Sequence, residues 1–135
     1  MLYLLDTNAV SDYMAGHPVL RSRVTSLSST DRLKTCTIVR GEILFGIARH
    51  LAGARRSQLE QAAQAAFKAF PCLPIEEQAA DVYATLKLTC QQTGVAIHEN
   101  DLWIAATAVA GGAILVTRDK DFSRFPSLLL QDWTI

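Results

Sequence analysis

The most constraining feature of this chain is a helix-length segment, NDLWIAATAVAGG at residues 100–112, that has almost no polar face. Between Leu102 and Ala110 every residue is apolar except Thr107. A helix that is apolar all round has to be buried. The apolar run AILVT at residues 113–117 follows at once and is typical of a buried strand. A buried helix that leads into a buried strand predicts a layered fold with a substantial core.

The rest of the chain alternates short apolar runs with helical segments. Further strands are predicted at 2–5, 33–37 and 72–75, where Pro74 confines the last one to a sheet edge or a strand end. Helices are predicted at 9–15, 18–27, 38–53 with Thr37 as their cap, 55–70 and 76–94. Alternating strands and helices favour a parallel sheet covered by helices, which is the α/β class.

Composition limits both the organisation and the partners. A length of 135 residues fits one domain, so we expect residues 1–135 to form a single domain with a real core. The 13 basic and 13 acidic side chains balance, so no global field attracts a polyanion. The odd number of cysteines, without CxxC spacing, argues against a disulfide framework or a zinc cage and favours reduced thiols in a cytoplasm.

No segment predicts membrane insertion or export. The N-terminal apolar run covers only residues 2–5, which is too short for a signal sequence. The longest apolar stretch is interrupted by Gly111 and Gly112, well below the roughly 20 residues of a membrane span. We therefore expect a soluble, cytoplasmic protein with no membrane partner.

Four carboxylates stand at places that a buried framework would hold rigidly. Asp6 directly follows the first strand, and Asp119 lies two residues beyond the strand at 113–117, so both are expected at the carboxyl edge of the sheet, where ligands bind in open α/β folds. Glu42 lies in a helix whose other side chains are mostly apolar, and Asp101 stands at the mouth of the buried helix.

Each of these carboxylates also has an ordinary structural interpretation. Asp6 could be a turn residue, and Asp119 a loop residue after a strand. Glu42 could pair with Arg49, which falls on nearly the same helix face. Asp101 could simply be the N-cap of its helix.

Taken together, the four carboxylates indicate a cation. Burying unpaired charges costs several kcal/mol or neutralises the group. No lysine or arginine is obviously available at all four places, and hard oxygen ligands suit Mg²⁺ or Mn²⁺. Such an ion can bind phosphate, lower the pKa of a water and stabilise an in-line displacement, which is the chemistry of phosphodiester hydrolysis.

Four segments carry a resemblance to a known family. YLLDTNAVSDYM, IVRGEILFGIAR, HENDLWIAATAVAGGAILVTRDKDF and the closing LLLQDW resemble, in order and spacing, the PIN-domain ribonucleases, and among them the VapC-type toxins of bacterial type II toxin-antitoxin systems. The resemblance covers nearly the whole chain. It implies a small α/β/α sandwich on a parallel sheet and places the acidic quartet of the family on four residues, Asp6, Glu42, Asp101 and Asp119.

The resemblance also implies roles and partners. The three aspartates would ligate Mg²⁺ or Mn²⁺, and Glu42 would bind the metal through water or orient the attacking water. Asn8, Asn100 and Thr117 would hold carboxylates or waters in place. The family cuts single-stranded RNA or exposed loops and leaves a 5′ phosphate and a 3′ hydroxyl. Its VapC-type members pair with a small antitoxin and are commonly homodimers.

RNA affinity needs local positive charge, because it depends largely on neutralised phosphates. Arg118 and Lys120 flank Asp119 and are the candidate phosphate contacts, the alternative being a solvated loop with ion pairs to Asp119 and Asp121. His98 is considered as a general base and disfavoured, since a metal-bound water needs no histidine.

Two further assignments and three rival functions stay open. Trp103 is expected in the core, although an aromatic ring near the site could stack on a base. Asp121 is expected to be a turn residue or a surface partner of a neighbouring cation. A receiver-like Mg²⁺-binding module would explain the aspartates but gives a glutamate in a buried helix no role. A PIN nuclease that processes RNA without an antitoxin, and a PIN fold kept only for binding, are the closer rivals.

Overall fold

A five-stranded parallel sheet forms the centre of the molecule. The computed structural model describes residues 1–135. Its strands are β1 (Leu2–Leu5), β2 (Arg32–Cys36), β3 (Cys72–Leu73), β4 (Ile114–Val116) and β5 (Leu129–Gln131). Their order across the sheet is β3-β2-β1-β4-β5, and every neighbouring pair is parallel. The prediction of an α/β fold on a small parallel sheet is confirmed.

Six α-helices connect the strands and cover the sheet. They are α1 (Thr7–Met14), α2 (Pro18–Ser26), α3 (Thr37–Ala48), α4 (Ala54–Ala69), α5 (Glu77–Thr93) and α6 (Glu99–Gly111), and a short 3₁₀ helix spans Lys120–Arg124. As its composition predicts, α6 is deeply buried, with Leu102 and all residues from Ile104 to Ala108 inaccessible. It ends at Gly112, whose left-handed backbone suits glycine. No helix is both long and apolar enough to cross a lipid bilayer.

The two central strands bring distant parts of the chain together. Leu4 of β1 is paired with Leu115 of β4, and both side chains are fully buried. The pairing continues past the end of β1, because the Asp6 amide donates to the Val116 carbonyl at 3.1 Å. The segment after β1 and the segment after β4 therefore lie side by side at the carboxyl edge of the sheet.

The helix predicted at 38–53 differs from the observed one at both ends. It begins one residue earlier, so Thr37 is its first residue and not its cap. Cys36 occupies the cap position and makes no side-chain capping bond. The helix stops at Ala48, since the following residues are exposed and Gly53, at φ 154°, turns the chain into α4.

The two edge strands of the sheet, β3 and β5, are both short. The strand predicted near Pro74 is confirmed at the sheet edge, as β3. At the opposite edge, β5 was not predicted, because it has only three residues and Leu129 is 63% exposed.

Candidate active site

Asp6 is the buried centre of the site. It is 4% exposed and caps α1, its Oδ1 accepting a hydrogen bond from the Ala9 amide at 2.8 Å. The nearby Thr117 hydroxyl lowers the pKa of this carboxylate. The pKa of Asp6 is nevertheless raised from 3.8 to about 6. Burial is the main cause, and the negative charges of Asp101 and Asp119 contribute in the same direction. Asp6 thus does cap a helix, but its buried charge goes beyond what a turn residue requires.

Asp101 lies in the first turn of α6, and the interpretation of it as the N-cap is wrong. The cap is His98, whose Nδ1 accepts from the Asn100 amide at 3.2 Å. This bond gives the imidazole a structural task. Partial burial raises the pKa of Asp101, and the nearby carboxylates of Glu42 and Asp119 act in the same direction. The position of Asp101 is therefore not explained by capping.

Glu42 projects from the middle of α3 toward the start of α1. Its Oε1 accepts a hydrogen bond of 2.6 Å from the Thr7 hydroxyl. The proposed ion pair with Arg49 is not formed, since none of the four ion pairs of the molecule includes Glu42 and the Arg49 guanidinium lies over the Phe45 ring instead. The Glu42 carboxylate is thus held by a hydroxyl and has no cationic partner.

Asp119 begins the 3₁₀ helix that follows β4. Its Oδ1 accepts from the Asp121 amide at 2.9 Å, and its own amide donates to the Thr117 hydroxyl oxygen at 3.0 Å. The Thr117 hydroxyl thus bonds the Asp119 backbone and also affects the nearby Asp6. Asp121 is exposed, and no ion pair joins it to Lys120 or Arg124.

The four carboxylates form one electrostatic unit. The charges of Asp101 and Asp119 affect Asp6, and those of Glu42 and Asp119 affect Asp101. No lysine, arginine or histidine forms an ion pair with any of the four. No three of them converge closely enough to hold an ion in this arrangement. The oxygen-only donor set is nevertheless of the kind that Mg²⁺ or Mn²⁺ prefers.

The other predicted site residues differ in their exposure and in their ion pairing. Asn8 is exposed in the first turn of α1, and Asn100 is half-buried beside Asp101. Arg118 is engaged elsewhere, since its Nε donates to Asp12 Oδ2 at 3.1 Å, whereas Lys120 is exposed and forms no ion pair. The roles of these side chains stay predictions.

Trp103 of α6 contacts α5 through its ring. It is half-buried and stacks on Tyr83 of α5, with ring centres 4.0 Å apart and an interplanar angle of 5°. The stacked rings join α5 to α6. Trp103 is not part of the hydrophobic core, so the expectation of a core position is wrong.

Sequence reasoning missed Thr7. It links the first helix to Glu42 across 35 residues, directly after the buried Asp6. The only local signal is the hydroxyl next to Asp6 in LLDTN, which is equally typical of a turn. The contact depends on how α1 and α3 pack, and sequence spacing does not predict that.

A parallel sheet with carboxylates gathered at its carboxyl edge defines an α/β protein with an acidic site, and comparison with known families identifies which one. The chain belongs to the PIN domain family, whose model matches residues 3–128. The resemblance to the VapC-type branch is also confirmed. The chain is 32% identical to Ribonuclease VapC1 of Haemophilus influenzae strain R2866 over 99% of both chains, and 27% identical to Ribonuclease VapC2 of Rickettsia felis over 98% of both.

Solved structures agree with this assignment. A chain of VapBC-1 from nontypeable Haemophilus influenzae matches with a TM-score of 0.90 and 32% identity, over 100% of both chains. VapBC2 from Rickettsia felis, solved bound to a DNA fragment from its promoter, matches with a TM-score of 0.90 and 26% identity, over 98% of this chain and 99% of that one.

Proposed function

We propose that this protein is a metal-dependent endoribonuclease that acts as the toxin of a toxin-antitoxin pair. The observation that carries the proposal is the group of four interacting carboxylates, with Asp6 buried and none of them paired with a cation. The curated relatives are named ribonucleases. By analogy with the PIN family, the proposed ligands of Mg²⁺ or Mn²⁺ are Asp6, Asp101 and Asp119.

The proposed reaction divides the work among the side chains of the site. The ion, when bound, would supply positive charge to the scissile phosphate and lower the pKa of a water. Thr7 orients Glu42 through their 2.6 Å hydrogen bond, so that the carboxylate accepts a proton from the attacking water. The water oxygen bonds to phosphorus, the bond from phosphorus to the 3′ oxygen breaks, and the 3′ oxygen takes a proton from solvent. The products carry a 5′ phosphate and a 3′ hydroxyl.

The experiment compares the purified protein with Asp6→Asn on total cellular RNA, in Mg²⁺, in Mn²⁺ and in EDTA, and maps the new ends by sequencing. Asp81→Asn is the matched control, because Asp81 is an exposed aspartate on α5. We expect cuts at few sites, bearing 5′ phosphates, in wild type and control, and none in Asp6→Asn or in EDTA. Absence of metal-dependent cuts by wild type would overturn the proposal and leave the carboxylates a binding or structural role.

The antitoxin is the second part of the proposal. The structural relatives were solved as VapBC complexes. A short neighbouring reading frame with a DNA-binding start and an apolar tail is the expected partner, and its co-expression should relieve growth arrest caused by wild type. If wild type cuts RNA but no such frame adjoins its gene and expression does not slow growth, the protein is an RNA-processing PIN nuclease. Cytoplasmic location and homodimerisation stay predictions.

A further inference from the structure

The face of α3 that carries Glu42 also carries an exposed aromatic ring and an arginine. Phe45 follows Glu42 by three residues and Arg49 by seven, so all three share one face of the helix. Phe45 is 66% exposed, and the Arg49 guanidinium lies 5.3 Å from the centre of its ring. A flat apolar surface with a cation beside it is thus held one turn from the proposed active site.

Two clefts meet at this face. One, of about 590 Å³, lies between α3 and the start of α6 and is lined by Phe45 and Asn100 among others. The other, of about 530 Å³, lies between α1, α3 and α4 and contains Arg55. Both clefts are lined by Thr7, Glu42, Gly46 and Arg49. An extended ligand can therefore cross α3 at Gly46, passing the acidic site on its way.

Two glycines inside α3 keep this crossing open. Neither Gly41 nor Gly46 has a positive φ, and a Cβ at either position would meet nothing within 4 Å. Neither backbone conformation nor close packing therefore requires glycine, although glycine destabilises a helix interior relative to alanine. Both residues line the cleft that contains Phe45. What their missing side chains provide is room beside Glu42 and Phe45.

We propose that this face of α3 is a nucleotide subsite, in which Phe45 stacks on an unpaired base next to the bond that is cut. Arg49 and Arg55 contact the phosphates of the strand as it crosses Gly46. The inference rests on the proposed ribonuclease function and adds to it the residue that would hold a base beside the site. Stacking on an aromatic side chain needs a base whose face is free, so the subsite takes single-stranded RNA and rejects a duplex.

The test measures binding separately from cleavage. Fluorescein-labelled random-sequence single-stranded RNA is titrated with protein in EDTA and in Ca²⁺ and followed by anisotropy, with a duplex of equal length as competitor. We expect Phe45→Ala to weaken single-strand binding by at least about fivefold and to abolish the preference over duplex, and Phe45→Trp to retain both. Leu44→Ala is the matched control, because Leu44 is also an exposed apolar residue of α3, at 40%, but lines a different cleft.

A second variant tests whether the RNA strand passes over α3 at Gly46, and it does so without removing a contact. Gly46→Leu places a good helix former in open space, so its melting temperature should not fall, while its bulk should weaken RNA binding as Phe45→Ala does. Binding by Phe45→Ala within about twofold of wild type would overturn the inference. So would a change in that variant confined to association with a second copy or a protein partner. If wild type cuts RNA and Phe45→Ala cuts with unchanged KM, the subsite fails and the nuclease stands; if wild type neither binds nor cuts, both fail.

Discussion

Replacing Asp6 with asparagine should stabilise the metal-free protein while abolishing its proposed activity. Asp6 is 4% exposed, and burial raises its pKa from 3.8 to about 6. A difference of about two between the folded and unfolded pKa corresponds to about 3 kcal/mol, since one pKa unit is worth about 1.4 kcal/mol. The ionised carboxylate therefore lowers the free energy of unfolding by up to about 3 kcal/mol at neutral pH.

The Asp6 carboxyl binds its proton more tightly in the folded state than in the unfolded state, because its pKa is raised by folding. With the pKa raised in the folded state, the carboxyl group does not destabilise the fold below pH 3.8, where it is protonated in both states, and its full cost is present above about pH 6. Asparagine keeps an oxygen to accept the Ala9 amide and carries no charge at any pH. The difference in stability between variant and wild type should thus grow as the pH rises from about 4 to above 6 and then level off.

The assay is urea unfolding of both proteins in EDTA at several pH values between these limits. A subsequent titration with Mg²⁺ or Mn²⁺ should stabilise wild type and leave the variant unchanged, because only the carboxylate gains from the cation. If Asp6→Asn is no more stable than wild type at pH 8 without metal, the buried charge is compensated within the protein, and the reasoning that leads from its burial to a cation site is refuted.

Three further predictions concern residues around this centre. Thr7→Val removes the hydroxyl that holds Glu42, so kcat for RNA cleavage should fall by about tenfold or more with KM little changed, and equal loss in Thr7→Ser would contradict a hydrogen-bonding role. Gly46→Ala should raise the melting temperature by about 4 °C, from about 1 kcal/mol of helix propensity, as calorimetry would show; a lower melting temperature would mean that the site is not open space. Lys120→Ala should reduce the salt dependence of RNA binding more than Arg118→Ala does, since Arg118 is already paired; equal slopes would contradict this order.

The fold was predictable from sequence in the segments where the order of apolar residues along the chain matches which residues are buried. The limits of α6 lie within one residue of the predicted 100–112, because its apolar residues and its closing glycines admit no other structure. The strand β5 was not predictable, since three residues with an exposed leucine carry too weak a pattern. The end of α3 was misplaced by five residues, because exposed residues after Ala48 look helical by propensity and only the path of the chain ends the helix there.

The candidate site divides in the same way. Asp6 and Asp119 could be placed at one sheet edge from sequence, because each follows a strand and parallel strands end at the same edge. The alternative in which Asp101 caps its helix is excluded, since His98 upstream is the cap, and sequence cannot decide between neighbouring candidates for one cap. The alternative in which Glu42 pairs with Arg49 is also excluded, because Arg49 is near Glu42 in sequence while Thr7 is its partner in space.

By itself, the sequence determined the layered α/β class, the buried helix and which carboxylates lie at the ends of strands and helices, since these follow from periodicity and polarity over a few residues. Only the tertiary structure decided how deeply Asp6 is buried, which charges act on it and where the clefts open beside Glu42. Those properties depend on pairings such as that of β1 with β4, more than 100 residues apart, and on how helices pack. Electrostatic interactions act through space, so their strength appears only once the chain has brought the charges together.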